Sequence, residues 1–77
     1  MPSRAEELRQ AREHVELAHH RVVEQTALIE RLRSDGHDTE AAERLLAVFI
    51  EVLGKLSLHR GELERQEEDR AKDAATH

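Results

Sequence analysis

The chain has 77 residues, no cysteine, six histidines and a formal net charge of -5, from 12 Lys+Arg against 17 Asp+Glu. That length allows one small domain, and the lack of cysteine excludes disulfides and thiolate metal sites, which leaves association as the leading remedy for a fold too small to bury a large core. Arg9, Arg12, Arg21, Arg31 and Arg33 are interleaved with Glu6, Glu7, Glu13, Glu16 and Glu30, so no basic stripe forms for a phosphate backbone and no nucleic-acid partner is expected.

At the N-terminus the chain runs straight into charged helix with no apolar core of a signal peptide, so a secretory signal is not expected. Ser3 is an N-cap candidate and Glu6, three residues on, completes a capping-box pattern, which predicts a first helix over about 4–34. Leu8, Ala11, Val15, Ala18, Val22, Gln25, Ile29 and Leu32 then alternate in steps of three and four, one coiled-coil-like heptad seam. Gln25 stands where that seam calls for an apolar residue, and its expected role is a register pin hydrogen-bonded across the helices.

Ser34-Asp35 leads into Gly36, His37, Asp38 and Thr39, a helix stop and a helix start back to back, predicting a turn over 35–38. Gly36 suits the left-handed position that closes the first helix, and Asp38 or Thr39 can cap the second. So short a turn forces antiparallel packing.

The second helix is predicted over about 39–68, with one apolar line through Ala42, Leu46, Phe49, Leu53, Leu56 and Leu63 and another through Leu45, Phe49, Val52, Leu56 and Leu63. Val48, Ile50 and Leu58 widen the face beyond what one partner helix covers. The expected fold is therefore all-α: an antiparallel two-helix hairpin, a single domain over 1–77, dimerising through the second helix into a four-helix bundle. Gly54 suits a close helix crossing or, equally, a mild local weak point in the helix. From 69 to 77 no apolar stripe remains, and a frayed tail is expected. The longest apolar run, Leu45 to Leu53, is broken by Glu51 and is too short to span a bilayer, so no membrane contact and a cytoplasmic location are expected.

Chemistry is sparse. No phosphate loop, nucleophile elbow or cysteine nucleophile occurs, so no catalytic residue and no cofactor are expected. Among the histidines no pair lies at i,i+4 on one helical face; Glu16 and His19 form Glu-x-x-His but point away from the seam. His14 and His59 are brought near each other by an antiparallel register, which makes them the candidates for a metal site or a pH-sensitive contact.

His14, Arg21-Val22, Gln25, Ile29, Leu32, Gly36-His37-Asp38-Thr39, Ala42, Leu45-Leu46, Phe49 and His59-Arg60 together resemble a group of short alphaproteobacterial helical-hairpin proteins with a Gly-His-Asp-Thr turn. The resemblance implies a complete small protein and carries no activity with it. His19-His20-Arg21-Val22 is also similar to the start of the His-Arg-Val-Lys-Asn box in the dimerisation domain of one class of sensor histidine kinases. That likeness implies phosphate acceptance at His20, though Val23-Glu24 stand where Lys-Asn would follow. The expected function is a non-catalytic assembly or adaptor protein acting through helix–helix contact with itself or a partner helix, with Leu45, Leu46, Phe49, Val52, Leu53 and Leu56 as anchors. The alternatives are a metal- or pH-responsive regulator using His14 and His59, and a histidine phosphotransfer module at His20.

Overall fold

Local chemistry fixes the bend of the chain before any packing does. In the computed structural model, which describes residues 3–76 and the side chains of 3–75, the first helix, α1, spans Arg4–Ser34 and the second, α2, spans Glu40–Thr76. Ser3 Oγ accepts from the Glu6 backbone N–H at 3.2 Å, and Glu6 and Glu7 in the first turn, with Arg31 and Arg33 in the last, complement the helix dipole. At the other end the Gly36 N–H donates to the Arg33 carbonyl (3.1 Å) and the His37 N–H to the Leu32 carbonyl (2.8 Å), the two bonds of a Schellman closure. Gly36 carries the positive φ of 78° that this closure needs.

Three residues further on, the second helix begins. Asp38 Oδ1 accepts from the Glu40 N–H (3.0 Å) and the Thr39 carbonyl from the Glu43 N–H (2.8 Å), so the side-chain cap comes from Asp38 and α2 starts one residue later than the sequence suggests. Arg33 Nη2 reaches Glu43 Oε1 across the turn at 2.8 Å, and Arg12 Nε lies 3.5 Å from Glu64 Oε1 at the open end. Both pairs are largely exposed, Glu64 least at 43%, so they bias register more than they add stability.

Among the described residues there is no strand, and the core is the seam between the two helices. α1 buries Leu8, Ala11, Val15, Ala18, Gln25 and Ile29, with Val22 and Leu32 half-buried. α2 answers with Ala42, Leu46, Phe49, Leu53, Leu56, Arg60 and Leu63, every one only half-buried. The asymmetry follows from side-chain size and face width. Small alanines on α1 sink beneath α2, whereas the leucines and Phe49 of α2 straddle a single neighbour that covers little more than one stripe of a helix.

Two expectations need correction. The segment from 69 onward does not fray: α2 continues through Thr76, with His77 outside the described residues. Gln66, Glu67, Glu68, Arg70, Ala71, Lys72, Ala74 and Ala75 are strong helix formers, with no glycine or proline among them to end the helix, and Glu67, Glu68 and Ala71 still share a groove with Leu8 and Arg12 of α1. Gly54 is not at the crossing of α1 and α2 either, because a Cβ built there meets nothing within 4 Å.

These two glycines behave oppositely. Gly36→Ala forces an L side chain into the left-handed region and is expected to lower stability by about 1 kcal/mol. Gly54→Ala places a better helix former in open space and is expected to raise it by about 0.5–1 kcal/mol. Urea unfolding followed by circular dichroism at one protein concentration measures both.

Candidate functional site

The largest run of exposed apolar side chains lies along α2. Leu45, Val48 and Val52 are 45%, 52% and 43% exposed, and Leu17 on α1, 57% exposed, shares a groove with Val48 and Val52. Leu17, Val48, Phe49, Val52 and Leu56 line one groove between the helices, together with His14 and Arg21. Ile50 and Leu58, also exposed, lie around α2 toward its other faces, and Val23 opens onto a groove on the opposite side with Val15, Leu53 and Ser57.

Of the six anchors expected on α2, Leu45 and Val52 stand free on the outside, whereas Leu46, Phe49, Leu53 and Leu56 are half-buried in the seam against α1. Leu17 and Val23 were missed because the heptad reading follows a single seam on α1; the outer heptad line of that helix, His14, Leu17, Arg21 and Leu28, is the signal that finds Leu17. Arg60 was missed for a different reason. It occupies the seam place between Leu56 and Leu63, where a charged residue interrupts the apolar line, and its Nε is shielded from water without a hydrogen-bond partner, 3.7 Å from Glu64 Oε1.

Gln25 is 8% exposed, and its Nε2 donates to the Ala42 carbonyl at 2.9 Å. The small side chain of Ala42 is what allows the amide to reach the backbone of the facing helix. Gln25 and Phe49 also line one cavity together.

His14 and His59 share a groove with Glu7, Gln10 and Ala11. Among the described residues no group of three or more histidines, aspartates and glutamates is placed to hold a metal ion. His20 is exposed, with Nε2 2.7 Å from Glu24 Oε1. Glu16 and His19 are exposed and open onto the groove that holds Val23. His37 is exposed in the turn and contributes through its backbone N–H. Glu40 with Arg44 and Glu51 with Lys55 pair along the solvent side of α2. No helix of the described residues is long and apolar enough to cross a membrane.

No protein-family model matches the chain, and no curated protein or solved structure is significantly similar to it. The functional reading therefore rests on the surface just described.

Gln25 offers a clean measurement. The Ala42 carbonyl stays within its own helical ladder when the amide is removed, so Gln25→Leu, which keeps the buried volume, is expected within about 1 kcal/mol of wild type. Gln25→Ala also empties the seam and is expected to cost about 2 kcal/mol in urea unfolding.

Proposed function

We propose that this chain is a small non-catalytic assembly protein that pairs with a second copy of itself through the outer face of α2, forming a four-helix bundle, and that exchanges the same face for a partner helix when it acts as an adaptor. One observation carries the reading. A folded monomer of 8.9 kDa exposes about 4,800 Å² by the usual scaling of surface with mass, whereas this hairpin exposes 6163 Å². The surplus of roughly 1,300 Å² exceeds the ~800 Å² that each partner contributes to a standard interface.

The character of the surplus supports the same reading. Leu45, Val48 and Val52 stand on one side of α2, with Leu17 of α1 in one groove with Val48 and Val52, an apolar patch flanked by charged pairs such as Glu51 with Lys55. A second hairpin laid on this patch would bury Phe49 and Leu56 as well, turning half-buried seam residues into the centre of a bundle. Burying both copies' patches would also supply the apolar area that a single seam lacks. Helix-in-groove contact with spaced aliphatic anchors is the mechanism, and Gln25 holds the register of each hairpin while its outer face is presented.

Sedimentation equilibrium over a wide concentration range, with helicity followed in the same samples, tests this directly. The expected result is a dimer whose helix content falls on dilution, because folding and assembly are coupled. Val48→Glu with Val52→Glu is expected to weaken the dimer by more than about a hundredfold, since both carboxylates would have to be buried in the interface. A wild-type chain that stays monomeric and fully helical at every concentration would overturn self-association.

A further inference from the structure

The face that takes the second copy does not end at its apolar residues. Leu45, Val52 and His59 of α2 are spaced by sevens, as are His14, Arg21 and Leu28 of α1, so His59 shares an outer heptad place with Leu45 and Val52, and His14 shares one with Leu28. The register that brings His14 to His59 in one groove and Arg21 to Val52 in the next sets Leu28 level with Leu45. The outer face thus runs from an aliphatic layer near the turn to an imidazole layer near the open end, and His14 belongs to both grooves.

We infer that the second copy seats on this whole outer face, histidine layer included, and that protonation of His14 and His59 releases it. The inference rests on the assembly reading above and adds the groups that regulate it. A second copy fits the charge of the face as well as its area. Across the two grooves the only charged residues besides the histidines are Glu7 and Arg21, both from α1, and α2 brings none other than His59. One carboxylate and one guanidinium leave these two grooves neutral, and the groove around Leu28 adds Glu24, Glu30 and Arg31, so an identical face meets only a small net charge.

Histidine is the side chain whose charge ordinarily changes between about pH 5 and 8. Neutral imidazoles are amphipathic and pack against an aliphatic neighbour at little cost. Protonated ones place two cations in one groove of each copy, and Glu7 offsets at most one of them while Arg21 adds a like charge alongside. Both effects act against the closed interface, so assembly weakens when the two imidazoles carry protons.

The test is sedimentation equilibrium in EDTA at about pH 8 and about pH 5.5, on the wild type, His14→Gln with His59→Gln, and His19→Gln with His20→Gln. The expected result is a dissociation constant that rises about tenfold or more at the lower pH in the wild type and in the 19/20 variant, and stays flat in the 14/59 variant. A wild-type dimer of equal strength at the two pH values, or an undiminished pH response in the 14/59 variant, overturns the inference and leaves the assembly reading standing. A wild type that is monomeric already at pH 8 overturns both.

Discussion

Two helices share one seam, and every apolar side chain the described fold shelters must find its place along it. A third element would let each helix bury a second stripe; here the only neighbour of α2 is α1, and the only neighbour of α1 is α2. α1 is suited to that condition, with a narrow line of small and medium residues between charged flanks. α2 is not, because its apolar face is wider than one helix covers, and the excess stands in water as Leu45, Val48, Ile50, Val52 and Leu58. The narrow core of the hairpin and the excess apolar face of α2 thus have one cause, since a single seam covers little more than one stripe of each helix.

Polar groups set how the seam is aligned. The Schellman closure at Gly36 and the cap from Asp38 fix where one helix ends and the next begins, the Arg33–Glu43 pair spans the turn, and the Gln25 amide ties α1 to the α2 backbone at Ala42. None of these contributes much alone. Together they bias the chain toward a single register, which matters because a heptad slip along so repetitive a seam would keep most apolar contacts and move every outer residue away from its partner. A buried amide bonded to one particular carbonyl penalises such a slip in a way that leucine does not.

How much of this could be read from the sequence differs by element. α1 and the turn were legible because their signals are local: a regular seam of eight residues, a Ser cap, a glycine at the stop and an Asp at the start. The hairpin followed from the brevity of the turn. The orientation of α2 was harder, because its two apolar lines share Phe49, Leu56 and Leu63. The structure turns the line through Ala42, Leu46 and Leu53 inward, where Ala42 leaves room for Gln25. Arg60 was hidden because a charge in an apolar line looks like a gap, although its spacing from Leu56 and Leu63 is regular. The last turns of α2 were misjudged because the loss of an apolar stripe was given more weight than the helix propensity of Gln, Glu, Arg, Lys and Ala. For the candidate surface, composition showed that α2 had apolar area to spare, but only the packed hairpin separates the residues left outside from those drawn into the seam.

The elongation of the hairpin has a hydrodynamic consequence. Its extents are 64 × 18 × 17 Å and its radius of gyration is 17.9 Å, against about 11–12 Å for a compact domain of the same length. A rod more than three times as long as it is wide drags more solvent and tumbles more slowly than a sphere of equal mass. In gel filtration one copy therefore travels with globular proteins well above its own weight. Two copies laid side by side would thicken the rod without lengthening it, so pairing would double the mass while changing the frictional coefficient comparatively little.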